Sequence, residues 1–372
     1  MDAGTHAGPR SNSCNASGMT LRIAVIVAAA TSAVAFAAPD PLRLVLVAQH
    51  PSPVLTTRSP GAEGIRFGFE GGRVVKVAGT YHLFTSEMVD DPIWVRMRLG
   101  HWTSADREHW TRVATIRESS GEFTGADPRA ALWSPLPVWD DGEERWNLFY
   151  VAYKSKPGDG TAFTLNYEGR IWRARSTVRG ESGISGPYED LGVVMEPGSQ
   201  SMSWEGLQGT DSFFPWHVGK DWYAMYGSAQ SERLPITHWL VGLARSTSLA
   251  GPWTRVTTAS PLPLESTFIE NPIVTTAPRG WFVVYDSNAA DAVGVAWSPD
   301  GVTWGKGEAL VVQPTRGSWA KDVRTPLGLV DEGDGKYTVF YTGFEQPPDW
   351  TRLLAGKGGE TCAIGFAELK AQ

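Results

Sequence analysis

The chain has 372 residues, with 33 Lys and Arg against 40 Asp and Glu, which gives a net charge of −7. This length allows one large domain or two ordinary ones, and 11% aromatic residues with 41 Gly are typical of a compact all-β protein rich in tight turns. No basic run is present to bind phosphates, so the composition argues against a nucleic-acid partner.

The first element in chain order is an apolar segment, Leu21–Ala38. Arg22 gives it a positive flank, an Ala/Val/Ile run follows, and Ala35-Phe36-Ala37 has the small-x-small form of a cleavage site. The segment is short and its residues are small, which favours a removable signal peptide over a spanning helix. We therefore expect a leader over residues 1–38, with Met19 as an alternative start. The product would be a secreted or periplasmic protein without membrane association after cleavage.

The rest of the chain repeats one pattern, in which a turn with an acid or a Pro leads into an alternating strand, a turn and an aromatic-rich strand. The five copies begin at Glu70, Trp133, Asp211, Glu270 and Asp322. A second hairpin follows each copy, so every interval holds four strands, as in a propeller blade.

The repeat predicts an all-β fold, a five-bladed β-propeller with four-stranded antiparallel blades over residues 67–372. Residues 39–66 are expected to close the ring or flank it. No stretch after the leader sustains a helical period for four turns. A β-sandwich is the alternative fold, although it would not predict a repeated four-strand unit.

The two cysteines limit the covalent and metal chemistry of the protein. Cys14 precedes the cleavage point, which leaves Cys362 alone and excludes an intrachain disulfide or a thiolate metal site. The apolar surroundings of Cys362 predict a buried structural thiol. The seven His do not pair at metal-ligand spacing, so we expect no cofactor; a structural Ca²⁺ on the propeller axis is left open.

Three copies begin with an acid: Glu70, Asp211 and Glu270. The innermost strands of a propeller start around one axis, so we expect these side chains to converge on one cavity. Glycoside hydrolysis needs such carboxyls, one to protonate the leaving oxygen and one to activate water or attack the sugar. Close like charges also drive carboxyl pKa values apart. The alternative interpretation is three solvated turn residues.

The copies resemble segments of glycoside hydrolase family 43, five-bladed enzymes that include arabinofuranosidases, xylosidases and arabinanases. The resemblance covers about residues 65 to 369. It rests on four segments in order, namely Glu70-Gly-Gly-Arg-Val-Val-Lys-Val, Ala131-Leu-Trp-Ser-Pro, Asp211-Ser-Phe-Phe-Pro and Ile269-Glu-Asn-Pro. In the family, the first, third and fourth segments carry the general base, the residue that tunes and orients the acid, and the general acid.

The resemblance implies hydrolysis of a pentose-containing poly- or oligosaccharide by a single displacement with inversion, with Glu270 as general acid, Glu70 as general base and Asp211 as the tuning residue. Two positions depart from the family: Glu70 replaces an Asp, and Arg324 lies where many members place a His. We predict that Arg324 contacts a sugar hydroxyl or neutralises an acid. Trp133 is the predicted aromatic platform for a sugar ring.

Two other functions fit parts of the pattern. A non-catalytic glycan-binding propeller would keep the cavity and its aromatic residues, and the unusual base position supports it. A retaining fructan-type hydrolase would require Asn-Asp-Pro at the first copy, where this chain has Glu70-Gly-Gly.

Overall fold

A computed structural model describes residues 40–314 and 318–372. The expected signal peptide and Cys14 lie outside the described residues. Within the described ranges, no helix has both the length and the apolar character needed to cross a membrane.

The described chain consists mainly of twenty strands. β1 (Leu44–Gln49) comes first, and the next four are β2 (Gly68–Val77), β3 (Thr80–Asp90), β4 (Arg96–Ser104) and β5 (Thr111–Glu118). The second unit contains β6 (Ala131–Asp140), β7 (Arg145–Ser155), β8 (Asn166–Arg179) and β9 (Tyr188–Met195). The third contains β10 (Asp211–Val218), β11 (Asp221–Gln230), β12 (His238–Ser246) and β13 (Thr254–Arg255).

The last two units complete the series. The fourth contains β14 (Glu270–Thr276), β15 (Trp281–Asp286), β16 (Ala292–Ser298) and β17 (Glu308–Val311), and the fifth contains β18 (Asp322–Gly333), β19 (Lys336–Phe344) and β20 (Cys362–Ala371). Short helical segments are 3-10 turns at Glu181–Ser185 and Thr257–Ala259 and a single α-helix, α1 (Trp350–Leu354).

The strands pair into four-stranded antiparallel units, as the repeat predicts. β6–β9, β10–β13 and β14–β17 are separate four-stranded sheets. The remaining strands form one eight-stranded sheet, in which β1 pairs with β20 as the outer strand of the fifth unit. Thus the segment before the first repeat contributes a strand to the last repeat.

A single parallel pairing joins the fifth unit to the first. Gly68 of β2 pairs with Cys362 of β20, and a Cβ at Gly68 would lie 1.8 Å from the Cys362 carbonyl oxygen. Gly68 also has φ of +93°, so this close approach requires glycine. Cys362 is buried and free, which confirms the expected structural thiol.

The first strands of the units contact one another in succession. β2 contacts β6, β6 contacts β10, and β10 contacts β14. β14 in turn contacts β18, which contacts β2. Because each unit is antiparallel, the start of its first strand and the loop between its second and third strands lie at the same end. The heads of all five copies are therefore near these loops.

Two histidines are buried in the first unit. Nδ1 of His82 lies 3.1 Å from Nε2 of His101, and the His101 ring stacks on Phe84 with 4.3 Å between centroids. Burial lowers the pKa of His101 to about 3, and His82 adds to the effect. Burial also lowers the pKa of His82.

Acid is expected to destabilise the fold through His101. Its folded-state pKa lies below the unfolded value, so the unfolded chain takes up a proton that the folded chain refuses. The contribution of His101 to the free energy of unfolding is fully present above about pH 6.5. It falls as the pH drops towards about 3, with a slope of up to about 1.4 kcal/mol per pH unit. Urea unfolding from about pH 7 to about pH 4 should show a shallower loss for His101→Leu. His217→Leu, at an exposed position, is the control; equal slopes for both variants and the unaltered chain would contradict the assignment.

Candidate active site

A cavity of about 350 Å³ lies where the heads of the first strands meet the loops between second and third strands. Glu70, Asp211 and Glu270 all line it, as do Trp133 and Arg324. The structure thus brings the three acids together, as their common register predicts. Glu70 and Asp211 are each only 3% exposed, so they are not solvated turn residues.

A β-bulge follows the head residue in four of the first strands. In each case the strand register shifts directly after the head. The residue after the head has a positive φ: Gly71, Ser134, Ser212 and Asn271. Bulges bend a strand and re-aim a side chain, and they are frequent beside active sites. The same local distortion thus turns all four head side chains into the cavity.

The bulge residues also contact one another across the units. Ser134 Oγ donates to Asn271 Oδ1 at 2.8 Å, and the Asn271 backbone N–H donates to Ser212 Oγ at 3.0 Å. A Cβ at Gly71 would lie 2.5 Å from Ser134 Oγ, so only glycine fits there. These contacts fix the positions of the neighbouring head residues relative to one another.

The Arg324 guanidinium bridges three carboxylates, of which those of Glu70 and Asp286 are buried and that of Glu270 is partly exposed. Its Nε lies 2.8 Å from Glu70 Oε1, its Nη2 lies 3.0 Å from Glu270 Oε2, and its Nη1 donates to Asp286 Oδ2. Arg324 therefore neutralises acids at the centre of the site. Among residues 40–314 and 318–372, no group of His, Cys, Asp and Glu side chains is arranged to hold a metal ion.

Burial and charge act against each other in this cluster. Burial tends to lower the pKa of Arg324, but Asp286, Glu70 and Glu270 outweigh it and hold that pKa well above its usual value. Burial raises the pKa of Glu70, with Arg324 opposing and Glu270 adding to the rise. Burial likewise raises the pKa of Asp286 against the effect of Arg324. Removing Arg324 would therefore leave the Glu70, Glu270 and Asp286 carboxylates close together without a compensating positive charge.

Asp211 lies next to Glu270 and is held by the fold. Its Oδ1 accepts hydrogen bonds from the Tyr153 hydroxyl and, at 2.7 Å, from the Ser212 backbone N–H. Burial and then the charge of Glu270 raise the pKa of Asp211 to about 7. Asp211 therefore retains a proton at a pH close to neutral.

Two tryptophans lie beside Glu70. Trp94 donates its Nε1–H to Glu70 Oε2 at 3.1 Å, and Trp133 donates its own to the Trp94 carbonyl oxygen at 3.2 Å. Both rings line the cavity. The role of Trp133 as a sugar platform stays a prediction.

Sequence reasoning missed Asp286 and Tyr153. Asp286 ends β15 and pairs directly across the sheet from Glu270. The hairpin register of the fourth copy was a signal that could have found it, because opposite residues in an antiparallel pair lie side by side. Tyr153 lies in the aromatic-rich strand of the second unit, where nothing in the pattern separates it from core residues.

Solved structures share this fold, whereas the sequence itself matches no protein-family model and no curated protein. A family 117 glycoside hydrolase from the marine bacterium Zobellia galactanivorans is 14% identical, with a TM-score of 0.56 and coverage of 89% of this chain and 90% of that one. A family 43 enzyme from Xanthomonas citri, complexed with xylose, is 13% identical, with a TM-score of 0.54 and coverage of 87% and 90%.

A third structure is a family 43 β-xylosidase/α-arabinofuranosidase from a compost microbial metagenome, complexed with xylotriose. It is 13% identical, with a TM-score of 0.53 and coverage of 87% of this chain and 95% of that one. The chain therefore shares the fold of glycoside hydrolases of families 43 and 117, which agrees with the resemblance of its repeat segments to family 43.

Proposed function

We propose that this chain is an exported glycoside hydrolase, a five-bladed β-propeller that cleaves the O-glycosidic bond of a pentose-containing poly- or oligosaccharide. The observation that carries the proposal is the convergence of Glu70, Asp211 and Glu270 on one cavity. The named activities of the structural neighbours, which include β-xylosidase and α-arabinofuranosidase, support the substrate class. The leader segment in the sequence supports export.

In the proposed mechanism, Glu270 donates a proton to the glycosidic oxygen as the bond to the anomeric carbon breaks. Glu70 takes a proton from the water whose oxygen bonds to that carbon. Asp211, which lies next to Glu270, keeps a proton available to Glu270 until the transfer. Arg324 and Trp94 orient the Glu70 carboxylate. The carboxyl pair is restored when each residue exchanges its proton with solvent.

The cavity favours the end of a glycan. Its volume of about 350 Å³ is close to the lower end of small-molecule sites, roughly 300–1,000 Å³. It therefore accommodates a terminal residue and its leaving group. The carboxylates of Glu70, Glu270 and Asp286 outnumber the single Arg324 cation, which favours a neutral sugar over a uronic acid by charge repulsion.

The stereochemical course tests the roles of Glu70 and Glu270. We expect proton NMR during hydrolysis of aryl β-xylosides or α-arabinofuranosides to show the inverted anomer first. Inverting carboxyl pairs are about 6.5–9.5 Å apart and retaining pairs about 5–5.5 Å apart. The Arg324 guanidinium lies 2.8 Å from a Glu70 oxygen and 3.0 Å from a Glu270 oxygen. The NMR experiment therefore tests whether two carboxyls joined by one cation act as an inverting or a retaining pair. Initial formation of the retained anomer would make Glu70 a nucleophile and overturn the inverting assignment.

A second candidate function is glycan binding without catalysis. It is favoured by the ion pairs of Arg324 with both Glu70 and Glu270, because a nearby cation favours the deprotonated form of a carboxyl group, which has no proton to donate. Binding of xylo- or arabino-oligosaccharides without any hydrolysis of aryl glycosides would select this function.

A further inference from the structure

The loops between second and third strands give one side of the cavity an apolar character. Four of these five loops contribute an apolar side chain to the lining. These side chains are Trp94, Phe163, Ile236, Trp350 and Leu354. Only the loop of the fourth unit contributes polar side chains to the lining, Ser287 and Asn288, so the loop side of the cavity is mainly apolar.

Four aromatic rings form what we call the apolar wall: Phe163, Trp239, Phe268 and Trp350. Phe163 meets Trp239 edge to face with 6.2 Å between centroids, and Trp239 meets Phe268 in the same way at 5.5 Å. The Arg324 guanidinium lies 5.5 Å from the centroid of Phe268 and 5.6 Å from that of Trp350. The wall therefore extends from the loops to the cation that holds the acids.

Two amide side chains of the lining, Asn288 and Asn166, already have protein partners. Asn288 donates to Thr267 Oγ1 at 3.1 Å. Asn166 donates to the Trp94 carbonyl at 3.0 Å and accepts from Ser155 Oγ at 2.7 Å. Trp239 Nε1, in the wall itself, is buried without a hydrogen-bond partner and can donate to one ligand atom. Gln208 Oε1 and Asp211 Oδ2, elsewhere in the lining, are likewise buried without a partner.

These contacts distinguish between two kinds of leaving group. A second sugar would bring several hydroxyls, and each one that loses its water without gaining a protein partner is costly. A planar apolar group would instead bury its faces against aromatic rings and would need few polar partners.

We propose that the leaving-group side of the cavity binds an aromatic aglycone in preference to a second sugar. The inference rests on the proposed function, since the acids must hold a terminal sugar for the wall to meet its aglycone. It assigns the apolar wall the role of choosing the substrate class, aryl or arylalkyl glycosides of a neutral sugar.

The test compares benzyl glycosides with disaccharides that have the same terminal sugar, in both a β-xylosyl and an α-arabinofuranosyl series. Benzyl alcohol is a poorer leaving group than a sugar hydroxyl, so chemistry alone favours the disaccharide. We expect kcat/KM to be at least about tenfold higher for the benzyl glycoside, equivalent to about 1.4 kcal/mol. Equal or faster hydrolysis of the disaccharide would overturn the inference and leave the glycosidase function intact.

A matched pair of variants and a binding measurement complete the test. Phe268→Ala should reduce the preference for the benzyl glycoside, whereas Phe123→Ala, a half-buried Phe outside the cavity lining, should preserve it. The Kd values of benzyl and methyl glycosides for the unaltered protein provide a readout independent of turnover. Tighter benzyl binding without any hydrolysis would refute the glycosidase function but support the inference; equal Kd values would refute the inference.

Discussion

The Glu270→Gln variant is expected to lose about 10²–10⁴-fold in kcat/KM towards glycosides with sugar or alkyl leaving groups. An amide has nearly the shape of a carboxyl group but cannot donate the proton that these leaving oxygens require. Nitrophenyl leaving groups need little protonation, so their kcat/KM should fall much less. Measuring both substrate classes with one variant therefore isolates proton transfer from binding.

Glu265→Gln is the matched control for this experiment. Glu265 is half-buried and five positions earlier in the chain, but it does not line the cavity. Its variant should keep the activity of the unaltered chain on both substrate classes. An equal loss for both leaving groups in Glu270→Gln, or no loss at all, would remove Glu270 from the role of general acid.

Replacing Arg324 with Met is expected to lower the free energy of unfolding by about 3–5 kcal/mol at neutral pH. The substitution keeps much of the side-chain volume but leaves the Glu70, Glu270 and Asp286 carboxylates together without their cation. Burial already raises the pKa values of Glu70 and Asp286, and losing the cation should raise them further above their unfolded values. The loss of stability should therefore shrink as the pH falls and these carboxyls take up protons. Urea unfolding at neutral and acidic pH measures both effects.

Arg66→Met provides the comparison with a surface ion pair. Arg66 lies 2.9 Å from Asp90 and 2.5 Å from Asp91, but all three side chains are at least half exposed. Because this cluster is exposed to solvent, losing it should lower the free energy of unfolding far less than losing the Arg324 cation. If Arg324→Met were as mild as Arg66→Met, the central cation would not be what stabilises the buried acids.

The contacts of Glu70 restrain a Glu at the position where the similar segments of family 43 carry an Asp. A Glu reaches one methylene further than an Asp, and Glu70 uses both carboxylate oxygens, one on Arg324 and one on Trp94. Because both contacts come from side chains that the fold holds in place, the longer side chain is restrained. In the proposed mechanism, the arginine and the tryptophan together therefore set the reach of Glu70 to the attacking water.

Much of the fold could be predicted because its signals are local. Asp211, Glu270 and Asp322 are the first residues of β10, β14 and β18, and Glu70 and Trp133 lie two residues inside β2 and β6. Alternating side chains, Gly turns and aromatic second strands recur in each copy, since each copy forms the same hairpin. The register of the head residues follows from that repetition, and so does their meeting in one cavity.

The remaining features of the site depend on how separate units pack. By itself, the sequence determined the four-strand unit, the positions of the head acids and the isolation of Cys362. Only the tertiary structure decided that Arg324 pairs with Glu270 across 54 positions and that Tyr153 bonds to Asp211 across 58. No short-range pattern encodes such partners, because the energy of a buried charge or hydroxyl depends on groups that only the folded chain brings within reach.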